Sequence, residues 1–173
     1  MTSDETRQRE RPRLFDVLAL TAIVGLGLWT RIPGFSRYDL WFDDAWAALP
    51  AKVSFATANK MVATTPAYSL AMRAWLQVGP KSTIWAQSPS FVFSMVGIVA
   101  IYFLVRHFAF SRTLGLLASL TIAAGPVTSL YATRMKEYAA DFLIACLILG
   151  LAERWRRNPS WGRAAPVGIV GSF

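Results

Sequence analysis

Long apolar stretches alternate with short polar ones along most of the chain. The apolar runs cover residues 14–31, 88–105, 113–130 and 137–152, and another begins at residue 164 and continues to residue 173. A helix needs about 20 apolar residues to cross a bilayer. We therefore predict an all-α polytopic membrane protein with four spans and an incomplete fifth at 164–173, preceded by a polar arm at residues 1–13.

The first outer loop, residues 32–87, is too polar for a span but contains one clear helix signal. The segment TPAYSLAMRAWLQVG (65–79) places Thr65 at the cap, Pro66 at the first helical position and Gly79 at the end. Its polar residues recur every fourth position and form one stripe: Ser69, Arg73 and Gln77. About 13 residues give roughly 20 Å, less than the bilayer core, so we predict an interfacial helix. Arg73 on it is either a surface anchor or a phosphate ligand.

Composition and charge agree with a membrane protein. The chain is 54% hydrophobic and 16% charged, against about 25% charged residues in soluble domains. Ten of the 18 lysines and arginines lie in the arm and in residues 106–113 and 153–163, which predicts an inner-membrane protein with a cytoplasmic N-terminus. The net charge of +8 is explained in this way, and no nucleic-acid-binding motif is present.

The first candidate site is the acidic pair in LWFDDAW (40–46), just beyond the outer end of the first span. A carboxylate held between aromatic residues at a bilayer surface can act as a general base or bind a cation. Asp43 and Asp44 lie about 100° apart on a helix, so they should not share one role. The structural alternative is that Asp43 caps a helix over residues 44–53.

The second candidate site is YATRMKEYAAD (131–141), between the third and fourth predicted spans. On a continuous helix Arg134, Tyr138 and Asp141 share one face, with Glu137 beside them. Arg134 and Lys136 supply the cations that a lipid phosphate requires, and an acid inside an apolar run is a functional candidate. The structural alternative is an ion pair between one of these cations and Asp141 or Glu137.

These pieces, in this order, resemble the GT-C glycosyltransferases, in particular bacterial relatives of the dolichyl-phosphate-mannose–protein mannosyltransferases. Asp43 and Asp44 stand at that family's acidic pair, and the helix after Thr65 corresponds to its proline-started loop helix. A segment of the form Tyr-x-x-Glu-Leu-Lys-x-Tyr-x-x-Asp follows in the family. The matching positions are Tyr131, Lys136, Tyr138 and Asp141, whereas Arg134 and Met135 replace Glu and Leu. The resemblance covers residues 14–173, about the first third of the family's pattern.

The resemblance implies an inverting transfer of a sugar from a polyprenyl phosphate to an acceptor hydroxyl on the outer face. Asp43 is then the base and Asp44 its support, while Lys136 and Arg134, with help from Tyr138, bind the phosphate. If a divalent cation takes part, Asp43 or Asp44 holds it. Two alternatives stay open: a non-catalytic lipid-binding subunit, and a transporter fragment that uses Asp141. A transporter typically has Gly/Pro-broken spans, of which Gly125-Pro126 is the one example.

Overall fold

The computed structural model describes residues 14–37, 42–58, 60, 65–108, 110–159 and 165–166. Within these residues the regular structure is entirely α-helical, which confirms the predicted fold class at that level. The helices are α1 (Leu14–Arg37), α2 (Phe42–Lys52), α3 (Phe55–Ala58), α4 (Pro66–Val78), α5 (Thr83–His107), α6 (Arg112–Ala124), α7 (Pro126–Ala132) and α8 (Tyr138–Arg157).

Two of the predicted spans are confirmed as helices long and apolar enough to cross a membrane. They are Leu14–Phe35 within α1 and Thr83–His107, the whole of α5. α5 begins five residues before the predicted position 88, because Ser82 caps it by accepting a hydrogen bond from the backbone N–H of Trp85 at 3.2 Å. α1, α6 and α8 all pack against α5, which forms the centre of the bundle, and α1 also packs against α6.

The third predicted span is not one straight helix. α6 and α7 meet at Gly125 with a bend of 61°, so they count as a third span only if both halves cross together. Pro126 has no N–H to donate to the carbonyl of Ile122, and the carbonyl of Ala123 also loses its helical partner at the bend. The break therefore leaves two backbone acceptors inside the bundle that need donors from elsewhere.

Arg31 of α1 supplies those donors. Its side chain is fully buried, and Nη1 donates to the carbonyl of Ala123 at 2.9 Å while Nη2 donates to that of Ile122 at 2.9 Å. Nε donates to Ser94 Oγ of α5 at 2.9 Å. A cation at the carbonyl end of α6 also complements the helix dipole. Arg31 thus joins α1, α5 and α6 at the break, rather than anchoring α1 at an interface.

We expect Arg31→Met to lower the free energy of unfolding by about 2 kcal/mol. Two buried carbonyls lose a charged hydrogen-bond donor, and the neighbouring hydroxyl groups replace it only in part. The substitutes are Thr30 Oγ1 for Ala123 and Thr128 Oγ1 for Ile122, at 3.0 and 2.7 Å. Denaturant titration of the protein in detergent, followed by circular dichroism, measures the change. Arg154→Met removes an exposed arginine from α8 and is the matched control. Equal stability of the two variants would contradict this role for Arg31.

The fourth predicted span is a helix, α8, but it does not have the composition of a membrane-crossing one. Asp141, Glu153 and Arg154 fall in every stretch of 18 residues within it. The uncharged part between these residues is about 16 Å long, roughly half the bilayer core. The described residues therefore contain two candidate spans, or three with the bent pair, and the prediction of four spans and a fifth is wrong in number. Residues 164–173 lie outside the described part except for 165–166.

The predicted interfacial helix is present as α4, with Thr65 before it, Pro66 first and Gly79 after it. It does not lie apart from the bundle, because Tyr68 and Met72 pack against Ala86 of α5 and Met135. Ser69 is buried as well, so the predicted polar stripe is not a common solvent face. Thr65 makes no side-chain cap.

The connection between α4 and α5 is closed by two tryptophans. The rings of Trp75 and Trp85 stack 4.2 Å apart, and each indole N–H donates to the other residue's carbonyl. Gly79 lies directly against Trp85, where a Cβ atom would overlap the indole. This pairing fixes the angle at which α4 leaves the bundle.

One end of the bundle collects the basic residues. Asp16 at the start of α1 pairs with Arg112 at the start of α6 at 3.2 Å, and Arg157 of α8 donates to the carbonyl of His107 at the end of α5. Hydrogen bonds from Arg156 and Arg157 lower the pKa of the buried Glu153 carboxyl to about 2. The ends of four helices therefore meet here, and α2, α4 and residues 133–137 lie at the opposite end.

Candidate functional site

Asp44 joins the two candidate segments that the sequence singles out. Its Oδ1 accepts a hydrogen bond from the backbone N–H of Met135 at 3.0 Å, and its Oδ2 lies 3.5 Å from Nη1 of Arg134. The Asp44 side chain is 1% exposed and that of Arg134 8% exposed. A buried carboxylate with a cation and a backbone donor is a fixed, directional contact. The start of α2 is therefore held against the turn between α7 and α8.

That turn, residues 133–137, is here called the site turn. α7 ends at Ala132, where the N–H groups of Thr133 and Arg134 bond back to the carbonyls of Leu130 and Tyr131. α8 begins at Tyr138, so Met135 lies between helices and its N–H has no helical acceptor. Asp44 supplies that acceptor, which explains why a carboxylate is buried at this position.

Three further contacts hold the site turn. Ser90 Oγ of α5 donates to the carbonyl of Lys136 at 2.9 Å. Glu137 Oε2 accepts from the backbone N–H of Thr65 at 3.0 Å, which connects the turn to the start of α4. Gly34 of α1 packs on Thr133, where a Cβ atom would approach within 3.1 Å. The turn is thus connected to α1, α2, α4 and α5, which fixes its backbone.

The predicted phosphate ligands occupy different environments. Arg134 is buried and paired with Asp44, Lys136 is half-buried, and Tyr138 is 49% exposed with its ring edge-to-face on Tyr131 at 4.7 Å. Arg73 points elsewhere, since its Nη1 donates to the carbonyl of Val53 at 2.9 Å. The structure therefore brings Arg134, Lys136 and Tyr138 together around one turn and leaves Arg73 to cap the end of α2.

Two details of the sequence interpretation are wrong. Arg134 precedes α8, so it does not share a helical face with Tyr138 and Asp141; the helix-breaking turn separates them. α2 begins at Phe42, so Asp43 lies inside its first turn and does not cap a helix starting at residue 44. The backbone of Asp43 is described, but its side chain lies outside the described part. The structural alternative, an ion pair, is present for Arg134, but with Asp44 of α2 as its partner in place of Asp141 or Glu137.

Tyr68 and Ser90 belong to the site, and sequence reasoning missed both. Tyr68 is 8% exposed and lies between α4 and the site turn, where burial, with smaller contributions from the carboxylates of Glu137, Asp44 and Asp141, raises the pKa of its hydroxyl to about 12. Its position two residues after Pro66, on the apolar face of α4, gives a weak sequence signal as a polar tip on a buried face. Ser90 lies in an apolar run and gives none.

The arrangement gives Asp44 a structural task. Both of its oxygens are engaged by Arg134 and Met135, which leaves it poorly suited to bind a cation. Among the described residues no group of three His, Cys, Asp or Glu side chains could hold a metal ion. What the site offers chemically is a cation-bearing rigid turn, Arg134 and Lys136, next to the first turn of α2.

Comparison with known proteins gives no match: no protein-family model fits the chain, and no curated protein or solved structure is significantly similar to it. The grounds for a functional assignment are therefore the geometry and chemistry of the site itself.

Proposed function

We propose that this chain is a membrane glycosyltransferase module that transfers a sugar from a polyprenyl phosphate to an acceptor hydroxyl. The observation that supports it most is the pair of contacts that Asp44 makes with the guanidinium of Arg134 and the backbone N–H of Met135, because they hold the first turn of α2 against a cationic turn. Such a transfer needs both: a base for the acceptor and cations for the departing phosphate.

Lys136 is the cation that we assign to the lipid phosphate. Its backbone is fixed by Ser90, its side chain is half-buried, and the neighbouring Arg134 adds positive charge although it is paired with Asp44. Tyr138, half-exposed at the start of α8 and two residues after Lys136, supplies a hydroxyl. Charge-assisted hydrogen bonds of this kind are the strong ones in phosphate recognition.

Asp43 is the base in this proposal. The acceptor oxygen attacks the anomeric carbon, its proton passes to the Asp43 carboxylate, and the bond from the anomeric carbon to the phosphate oxygen breaks. The polyprenyl phosphate leaves with the electron pair and is stabilised by Lys136. Asp44 positions α2 through its contacts with the site turn. If a divalent cation takes part, Asp43 would bind it. Attack opposite the leaving group inverts the anomeric configuration.

The charge difference between the two ends of the bundle supports the proposed membrane setting. Arg106, Arg112, Arg154, Arg156 and Arg157 lie at the end opposite the site turn. Basic residues collect on the cytoplasmic side of membrane proteins. We therefore propose a multi-pass inner-membrane protein with a cytoplasmic N-terminus and with the site at the outer leaflet, where a polyprenyl phosphate can reach Lys136.

A transporter is the alternative that one observation favours, since the break at Gly125-Pro126 resembles the interrupted helices of ion-coupled carriers. In such carriers the free carbonyls at the break bind the ion. Here the carbonyls of Ile122 and Ala123 accept hydrogen bonds from the cationic side chain of Arg31. A break that already holds one positive charge is poorly suited to bind a cation as well. This favours sugar transfer at the site turn over ion coupling at the break. Binding of the lipid without sugar transfer is the remaining alternative that an experiment must distinguish.

The test is binding of decaprenyl phosphate to the purified protein in lipid nanodiscs. We expect Lys136→Gln to weaken binding about tenfold, because a charge-assisted hydrogen bond to the phosphate contributes about 1.5–3 kcal/mol. Lys81→Gln is the matched control, since Lys81 is an exposed lysine between α4 and α5. Equal affinities of the two variants, or no binding by the unmodified protein, would overturn the proposal.

A further inference from the structure

Tyr68 carries a buried hydroxyl that lacks a hydrogen-bond partner among the described residues. Ser90 is close enough to lower the pKa of this hydroxyl, but no hydrogen bond joins the two side chains, and Ser90 Oγ donates to the carbonyl of Lys136. A buried polar group without a partner costs about 1–3 kcal/mol. Native proteins rarely keep such a group unless water or a ligand satisfies it.

The surroundings of this hydroxyl are polar and acidic. Glu137 is held at the start of α4 by the backbone N–H of Thr65, and the carboxylates of Glu137, Asp44 and Asp141 disfavour a negative charge on the Tyr68 hydroxyl. Asp44 is already compensated by Arg134, whereas Asp141 at the start of α8 is exposed. A protonated phenol beside carboxylates presents one donor and several acceptors. Neutral hydroxyl groups, which both donate and accept, fit such a surface, and a phosphate does not.

We infer that Tyr68 and the carboxylates beside it form a subsite for the sugar of the lipid-linked donor, next to the phosphate position at Lys136. The inference rests on the proposed function and adds that the phosphate and the sugar of the donor are bound by different residues. The phosphate lies at the cationic side of the site turn, and a sugar hydroxyl accepts from Tyr68 while donating to a carboxylate. Tyr68 is thus a ligand of the transferred group.

The way into this subsite is the first turn of α4. The backbone N–H of Thr65 is bound to Glu137 by a single hydrogen bond that is exposed to solvent. Releasing it frees the start of α4 next to Tyr68, while the stacked Trp75 and Trp85 hold the other end of the helix. Exposed single contacts of this kind open at low cost. A sugar that replaces the Thr65 donor at Glu137 would be recognised at the same time by Tyr68.

The experiment compares Tyr68→Phe with the unmodified protein, using decaprenyl phosphate and decaprenyl-phosphate-linked mannose, glucose and galactose in nanodiscs. We expect the unmodified protein to prefer at least one sugar-bearing lipid, and Tyr68→Phe to bind that lipid about tenfold more weakly with unchanged affinity for decaprenyl phosphate. Tyr102→Phe, at a buried tyrosine toward the opposite end of α5, is the control and should change neither affinity.

The outcomes separate the inference from the proposed function. If the unmodified protein binds sugar-bearing and bare lipids equally, or Tyr68→Phe changes neither affinity or both alike, the sugar subsite is wrong and the phosphate site stands. If the unmodified protein binds none of the four lipids, both are wrong. A melting temperature of Tyr68→Phe equal to or above that of the unmodified protein shows that weaker binding does not come from misfolding.

Discussion

We expect Asp44→Asn to lower the free energy of unfolding by about 3–4 kcal/mol. Asparagine keeps the size of the side chain and can still accept from the N–H of Met135, but it removes the negative charge next to Arg134. Both side chains are almost fully buried, so the guanidinium would keep its charge without this carboxylate. Removing one partner of a buried ion pair costs about 3–5 kcal/mol, far more than the net value of the pair. Unfolding in a denaturant titration in detergent measures the loss.

The double variant Asp44→Asn with Arg134→Gln distinguishes this explanation from a general disturbance of α2. If the cost comes from the unpaired guanidinium, removing it restores a large part of the stability, and the two changes are strongly non-additive. A double variant whose loss equals the sum of the two single losses would contradict the buried pair. The exposed substitution Arg154→Met again serves as a control for the loss of an arginine.

The helices themselves could be predicted from the sequence, because their signals are local. Pro66 and Gly79 bound α4 as expected, and the apolar runs coincide with α1 and α5. The span prediction is wrong at α8, because Asp141 and Glu153 leave only residues 142–152 uncharged between them, about 16 Å of helix. The bend after Ala124 was indicated by Gly125-Pro126, but its 61° angle depends on packing against α1.

The contacts that build the site could not be predicted, because they join residues far apart in the chain. Asp44 and Met135 are 91 positions apart, and nothing local to either indicates the other. The sequence predicts both segments on the outer side of the membrane. It predicts phosphate binding for Arg134 and a supporting role for Asp44, but no contact between the two residues. The hydrogen bonds of Arg31 could not be predicted either, because its acceptors, two carbonyls at a helix break, have no sequence signature.

The buried pair has a consequence for the acidic dipeptide. A base must be able to accept a proton from the acceptor, and Asp44 is committed to Arg134 and to the N–H of Met135. Both oxygens of Asp44 are therefore occupied. Position 43 lies about 100° around α2 from position 44. Of the two adjacent acids, Asp43 is therefore the one that we assign to proton removal.

We accordingly expect Asp43→Asn to reduce sugar transfer by about 100-fold to 10,000-fold, since a positioned general base contributes a factor of that order. Transfer is measured in membranes containing the protein, with a radiolabelled polyprenyl-phosphate sugar and extraction of the glycosylated product. The variant should unfold at the same denaturant concentration as the unmodified protein and bind decaprenyl phosphate with unchanged affinity, because Lys136 carries the phosphate. Asp44→Asn, in contrast, should lose both stability and transfer.

Full transfer by Asp43→Asn would remove the base from the mechanism, whereas loss of transfer together with loss of folding would show that both aspartates serve the structure. In the proposed mechanism the two neighbouring carboxylates have separable tasks: Asp44 fixes the site turn, and Asp43 takes the proton.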